Sequence, residues 1–264
     1  MSDTPSAANV PYDQIDQLLA KIAALKQAGQ GASIVTLDSL GLTSPEFSAS
    51  QFYPSPAQFD PNTGLTANEI AYLIWFYRNH WIPILQYRDI YDFTRTFGAL
   101  VQAALQAKAS FSGATIGSSL FIRGIRPETV FANGGTAVHN WTVTSATAGW
   151  NSPYFTVNLN ETSTTADINT ANNVALLVIG IAELDTSRGI VAYKWFDQVG
   201  NGLGVRQATE AQMVSTSGLL PGEMSIYMDK NQVWKLDVNF ATAGTFTVAL
   251  IGAEFVTPAI WNSE

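Results

Sequence analysis

The sequence predicts a mainly β fold with an α-helical N-terminal part. Residues 1–110 hold the helices, and residues 111–264 form an antiparallel β-sandwich of about eight or nine strands. Apolar residues recur at helical spacing before residue 110 and alternate with polar residues in short runs after it. Charged residues make up only 13% of the chain, against about 25% in soluble globular domains. This fits either a secreted or surface protein or a subunit that buries much of its surface against neighbours.

The first predicted helix runs from Pro11 to Ala28, after a polar N-terminal arm, and stops at Gly29. Its apolar stripe comprises Ile15, Leu18, Leu19, Ile22 and Leu25. A helix of this length is marginal in isolation, so the stripe must pack on something. The five residues are therefore candidates for a subunit interface. Packing within the chain is the alternative, and it is favoured over a coiled coil because only about two heptads are available.

Residues 29–65 are predicted to be a long extended connection laid over a surface. The capping box Thr66-Ala67-Asn68-Glu69 then begins a second helix. Trp75 and other aromatic residues spread apolar character around this helix, which predicts burial on several sides. Pro83 should break or kink it, and a further helical stretch is expected from Ile90 to Lys108.

After Ser110 the apolar residues alternate in short segments, which indicates a sandwich or a barrel. The candidate strands are Ala114–Arg123, Ala137–Thr144, Tyr154–Leu159, Val174–Leu184, Ile190–Phe196, Ala211–Ser215, Glu223–Tyr227, Val233–Phe240 and Thr245–Phe255. The last two, joined across Ala241–Gly244, form the clearest predicted hairpin. The glycine-rich run Gly200–Gly204 is expected to be a flexible loop between strands.

Composition and charge argue against several classes of protein. The formal net charge is −8 without a basic arm or stripe, so direct nucleic-acid binding is not expected. The apolar stretch Ile70–Leu85 is interrupted by polar residues and a proline, which rules it out as a transmembrane helix. The N-terminus lacks the basic and apolar regions of a secretory signal peptide. Cysteine is absent, so neither disulfides nor thiolate metal sites are possible.

No catalytic, cofactor or metal site is predicted, and we do not expect an enzyme. The two histidines, His80 and His139, lie in segments of different type and lack a second ligand at metal spacing. A nucleophile elbow, a phosphate-binding loop and a zinc-protease motif are all missing from the sequence. Two carboxylate pairs, Glu183 with Asp185 and Asp229 with Asp237, could in principle serve a glycosidase. The first pair lies at a predicted turn, where acidic residues are common for conformational reasons.

The tryptophans of the β part suggest an alternative function, because an exposed aromatic ring on a sandwich can stack on a sugar. Trp141, Trp150 and Trp195 are the candidates for such glycan stacking. Packing in the core is expected to account for most of the tryptophans. The alternative function is accordingly a carbohydrate-binding or adhesive module, with a host-surface glycan as its partner.

The layout of the chain resembles virion structural proteins with a jelly-roll-like domain, particularly those of bacterial or archaeal viruses. The resemblance rests on the polar arm, the helices, the charge-poor sandwich, the strand Gly244-Thr245-Phe246-Thr247-Val248 and the predicted turn Leu219-Leu220-Pro221-Gly222. It implies a homo-oligomeric capsid, decoration, fibre or tail component that is assembled in the host cytoplasm. Its partners would be copies of itself and other virion proteins. The missing basic arm departs from small capsids that condense their own genome.

Overall fold

A computed structural model describes most of the chain as helices and antiparallel sheets. The described residues are 12–32, 34–35, 64–81, 93–127, 132–133, 136–137, 142–158, 173–184, 189–196, 202–207, 219–230 and 232–261. The chain divides into two compact units, Met1–Ile122 and Arg123–Glu264. Each unit is described separately below.

The boundary between the units lies about a dozen residues after the predicted one because the segment following residue 110 is bonded into the helical unit. The Phe111 N–H donates to the Ala107 carbonyl at 2.8 Å. The Ile116 N–H donates to the Glu69 carboxylate at 3.0 Å. Of the predicted strand Ala114–Arg123, only the last three residues form a strand, and residues 117–119 form a turn.

In its described residues the helical unit has three helices and a two-stranded sheet. Helix α1 is Tyr12–Gln27, α2 is Ala67–Phe76 and continues as a π-helical turn at Tyr77–Trp81, and α3 is Phe93–Ser110. Strand β1, Ile34–Val35, pairs antiparallel with β2, Leu65–Thr66. Gly29 ends α1 with a φ of 75°, a conformation that glycine adopts without steric cost. This confirms the predicted stop.

The predicted capping box is present and connects three parts of the helical unit. The Thr66 hydroxyl accepts a hydrogen bond from the Glu69 N–H at 3.3 Å, and the Glu69 carboxylate accepts one from the Thr66 N–H at 2.7 Å. The same carboxylate, which is fully buried, forms a 2.8 Å ion pair with Lys108 on α3. Together with the Ile116 N–H, these contacts join the start of α2 to α3 and to the loop that follows α3.

The second unit consists mainly of antiparallel strands. They are β3 Phe121–Arg123 at the unit boundary, β4 Ala132–Asn133, β5 Thr136–Ala137, β6 Thr142–Ala146, β7 Gly149–Asn158, β8 Val174–Glu183, β9 Ile190–Phe196, β10 Gly202–Gln207, β11 Leu219–Met228, β12 Val233–Phe240 and β13 Gly244–Val256. A short helix, α4, follows at Pro258–Trp261. Strands β4 and β5 pair with each other.

The long strands fall into two sheets. In one sheet the order is β10, β9, β12, β7. In the other, β11 pairs with β8 and β8 pairs with β13, and β6 pairs with the start of β13. All ten residues of β8 are buried, so both faces of this strand are covered. In β12 Trp234, Leu236, Val238 and Phe240 are buried, as the predicted alternation requires of one face, but Asp237 on the other face is buried as well.

The predicted hairpin of β12 and β13 is wrong. The strands follow each other in the chain but lie in different sheets, with β12 between β7 and β9 and β13 paired with β8. The link between them turns a corner at which the Phe240 and Phe246 rings stack with centroids 4.4 Å apart. The Ala241 N–H donates to the Gly189 carbonyl there, at 2.7 Å.

Two further predictions are corrected. Strand β10 begins at Gly202, inside the predicted loop Gly200–Gly204, and pairs with β9. The sequence did not predict this strand because the period-two pattern is weak where glycines replace side chains. The predicted turn Leu219–Gly222 forms the start of β11, where Pro221 pairs with Gly180 and a register shift follows. The predicted strand Ala211–Ser215 lies outside the described residues.

Within the described residues, the helices are all too short or too polar to cross a membrane.

Candidate functional site

The apolar stripe of α1 lies mostly inside the helical unit. Ile15, Leu18 and Ile22 are buried, and α1 packs against α2. Leu19 and Leu25 are half-buried. In this conformation only these last two can add area to a subunit interface, and that role of the stripe stays a prediction.

The three candidate glycan-stacking tryptophans differ in exposure. Trp150 on β7 is 42% exposed. Trp195 on β9 is 4% exposed and belongs to the core, so its ring is not accessible to a sugar in this conformation. Trp141 lies outside the described residues.

Trp150 forms the centre of a surface cluster on the four-stranded sheet, which we call the Trp150 surface. It consists of Trp150, Lys194, Phe196 and Asp237. The Lys194 ammonium lies 4.4 Å from the centre of the Trp150 ring and 5.1 Å from that of Phe196. Its distance to the Asp237 carboxylate is 3.9 Å, which is an ion pair but too long for a hydrogen bond.

Strand register explains how these side chains meet. Strand β12 separates β7 from β9, and Asp237 of β12 is directly opposite Lys194. Asn239, two residues along, is opposite Trp150. Residues two apart on a strand lie on the same face, so Trp150 and Lys194 approach each other from either side above β12. This arrangement shields Asp237, which is buried although it faces away from the apolar residues of β12.

The buried carboxylates of the second unit connect chain segments. Glu183 accepts hydrogen bonds from the Gly189 N–H at 2.6 Å and the Ile190 N–H at 3.1 Å, so it holds the passage from β8 to β9. Glu254 on β13 bonds Arg123 and also accepts from Arg126 at 3.3 Å. Both carboxylates therefore hold backbone or arginine side chains of neighbouring segments.

The predicted carboxylate pairs receive no support as catalytic pairs. Asp185 lies outside the described residues. Asp229 bonds the Lys230 N–H at 2.8 Å within its own turn and lies 3.4 Å from the Tyr227 hydroxyl, whereas Asp237 belongs to the Trp150 surface. Burial raises the pKa of Tyr227 well above its ordinary value, and the Asp229 carboxylate raises that pKa further.

The histidines also carry no metal site in the part of the chain that the structure describes. His80 is exposed and stacks on Phe76 with centroids 4.8 Å apart, and His139 lies outside the described residues. Among the described residues no three His, Cys, Asp or Glu side chains come together as metal ligands.

The sequence analysis missed an exposed aromatic residue on α2. Helix α2 was expected to be buried on several sides, but Trp75 is 51% exposed. A spacing rule could have indicated it, because Trp75 lies outside the buried series Ile70, Leu73, Ile74 and Tyr77.

Comparison of the sequence with known protein families and with curated proteins finds no match to either.

Proposed function

We propose that this protein is a structural, assembly-forming virion component, such as a capsid, decoration, fibre or tail subunit, and that it has no catalytic role. The observation that carries the proposal is the order in which eight strands of the second unit pair. This order supports a jelly-roll-like sandwich.

The pairing of these strands is nested. Strand β6 pairs with β13, β7 with β12, β8 with β11 and β9 with β10, all antiparallel. One long hairpin produces this nested order: its first four strands are followed by a turn, and the next four strands pair with them in reverse order. The additional pairs β8 with β13 and β9 with β12 are those that form when this hairpin is rolled into two sheets. Eight strands in two sheets with Greek-key connections characterise jelly rolls, which include viral capsid and lectin domains.

Surface chemistry favours assembly over the other functions of this architecture. Charged residues make up only 13% of the chain, and the cores of protein interfaces are likewise depleted in charged residues. Among the described residues, three large aromatic side chains, Trp75, Trp150 and Trp261, are nevertheless exposed. Tryptophan is among the residues most enriched where binding energy concentrates.

The proposed strand order can be tested with engineered disulfides, because the chain has no native cysteine. Thr142 of β6 is the register partner of Thr247 of β13. The double variant Thr142→Cys, Thr247→Cys should form an intramolecular disulfide on oxidation, since paired strands bring Cα atoms to about 5 Å. The control Thr142→Cys, Thr245→Cys is displaced by two residues and should not. Equal cross-linking of both variants would contradict the nested pairing.

Assembly can be tested by measuring the mass of the purified protein by light scattering across protein concentration and salt, followed by electron microscopy of any large species. We expect a discrete or growing assembly. A monomer at all concentrations would refute the proposed function.

A second candidate function is glycan binding through the Trp150 surface. Two observations favour it: the Trp150 ring is exposed beside Lys194, and Asn239 is the register partner of Trp150. Sugar sites combine an aromatic face with a few polar groups. The test is a glycan panel with wild type and Trp150→Ala, with Trp150→Phe as the control that keeps an aromatic ring. Binding that the alanine variant retains would exclude this surface.

A further inference from the structure

The four-stranded sheet that carries the Trp150 surface differs in charge from the chain as a whole. Its strands β7, β9, β10 and β12 contain three cationic residues, Lys194, Arg206 and Lys235, and one carboxylate, Asp237. The whole chain has a net charge of −8. Asp237 is buried, so the one carboxylate of these strands is withdrawn from solvent. This sheet is therefore a cationic part of an acidic protein.

The ion pair of Lys194 with Asp237 is oriented with its cation toward solvent. The Lys194 side chain is 28% exposed, whereas that of Asp237 is 9% exposed. A ligand that approaches from solvent meets the ammonium first, because the carboxylate is the more deeply buried partner. The pair therefore presents positive charge on the surface of the sheet, although its two charges cancel in sum.

The Lys194 ammonium also has hydrogen-bonding capacity to offer a ligand. Its distance of 3.9 Å to Asp237 is too long for a hydrogen bond, and no described residue accepts a hydrogen bond from it. An ammonium has three N–H donors and no acceptor. The matching ligand group is therefore an acceptor, and an anionic acceptor forms the stronger bond because it is charge-assisted.

The Trp150 ring supplies the apolar part of the same site. It is partly exposed, and its centre lies 4.4 Å from the Lys194 ammonium. A sugar that packs on the exposed part of this ring is within one substituent's length of the ammonium. Asn239, the half-buried register partner of Trp150, adds an amide beside the ring. Ring, ammonium and amide together can contact one sugar residue and its acidic substituent.

We propose that the Trp150 surface binds a sugar that carries a carboxylate, such as a uronic or sialic acid residue. Trp150 packs against the sugar ring, and the Lys194 ammonium binds the carboxylate. The cationic sheet also attracts an anionic glycan as it approaches. This inference rests on the second candidate function, glycan binding, and names the class of its ligand.

The test is an array of acidic glycans, each paired with its own methyl ester, which removes the charge and keeps the sugar ring. Oligogalacturonate, a glucuronate-containing oligosaccharide and sialyllactose are the probes, and calorimetry measures the pairs that bind. The wild type should bind the free acid at least about tenfold more tightly than the ester, as expected for a hydrogen bond to a charged group. This preference should decrease as salt concentration rises, because Lys194 is partly exposed.

Substitutions at the two contact residues separate their roles. Lys194→Met removes the ammonium and keeps a long side chain, so it should bind acid and ester with equal affinity. Lys194→Arg keeps the positive charge and should keep the preference for the acid. Trp150→Ala should weaken binding of both forms. Lys230→Met is the matched control, since Lys230 lies in the turn after β11, outside the Trp150 surface, and this variant should behave like wild type.

The outcomes separate this inference from glycan binding itself. A preference for acids that Lys194→Met loses and Lys230→Met keeps supports the inference, provided that circular dichroism shows unchanged folding. If Lys194→Met does not fold, the comparison of acid with ester in the wild type and in Lys194→Arg decides. Equal binding of acids and esters by the wild type, or a preference that Lys194→Met retains, overturns the inference alone. A wild type that binds none of the glycans overturns both it and the second candidate function.

Discussion

Replacing Glu69 should destabilise the helical unit more than any other single change at a polar residue of α2. Its fully buried carboxylate accepts from the Thr66 N–H at 2.7 Å and the Ile116 N–H at 3.0 Å, and it pairs with Lys108 at 2.8 Å. Glu69→Ala would leave two backbone donors and one ammonium without this acceptor.

The magnitude follows from the charge of the partners. Removing one member of a buried ion pair costs about 3–5 kcal/mol, because the other charge stays buried and unpaired. The Lys108 side chain is 20% exposed and also donates to the Gly64 carbonyl at 3.1 Å, so it is partly compensated. We therefore expect about 3–4 kcal/mol for Glu69→Ala. Glu69→Gln keeps one acceptor oxygen but places its amide NH2 against one of the two backbone donors, so it should cost at least about 2 kcal/mol, the usual value of a hydrogen bond to a charged group.

The assay is urea unfolding followed by far-UV circular dichroism, whose helical signal comes largely from this unit. Asn68→Ala is the matched control, because Asn68 is the exposed neighbour on the same helix and should change the free energy of unfolding by less than about 0.5 kcal/mol. A Glu69→Ala variant within about 1 kcal/mol of wild type would refute the view that this carboxylate holds α2, α3 and the following loop together.

Three further changes have defined expectations. Gly252→Ala should cost about 3 kcal/mol in urea unfolding, because the new Cβ would lie 1.8 Å from the Leu177 carbonyl oxygen; a neutral result would contradict this close strand approach. Leu18→Ala should cost about 2–4 kcal/mol, whereas Leu25→Ala, at a half-buried position, should cost less than about 1.5 kcal/mol; if Leu25 belongs to a subunit interface, its replacement weakens assembly instead. The raised pKa of Tyr227 implies stability that is present below the ordinary tyrosine pKa of about 10 and is lost as pH rises above it. Wild type should therefore lose stability relative to Tyr227→Phe in urea unfolding above about pH 10, and parallel curves would contradict the burial of the phenol.

Local chemistry made the helices predictable. The Thr66–Glu69 capping box and the glycine after α1 act within a few residues. The sequence alone therefore specified where α2 begins and where α1 ends. The units divide after Ile122 and not after residue 110, and the Ile116 N–H that binds Glu69, 47 positions earlier in the chain, joins the intervening segment to the helical unit. Contacts at such separations leave no periodic signal.

The bounds of some strands were predictable, but strand partners were not. Ile190–Phe196 and Val233–Phe240 have the predicted bounds, since alternation is a property of one segment. The choice of partner for β12 depends on β7 and β9, which lie elsewhere in the sequence. Short separation favoured a hairpin with β13, but corner contacts such as the stacked Phe240 and Phe246 rings accompany a change of sheet.

The different exposure of the candidate tryptophans shows which part of a site a single sequence can specify. Once Ile190–Phe196 is a strand, successive side chains face opposite sides, so a solvent-facing Lys194 requires an inward Trp195. The sequence therefore already contained the reason to reject Trp195. The exposure of Trp150 needs the register of β7 against β12, which places it opposite Asn239 and within reach of Lys194. Faces of single strands can be derived from sequence, whereas surfaces shared by three strands follow only from their pairing.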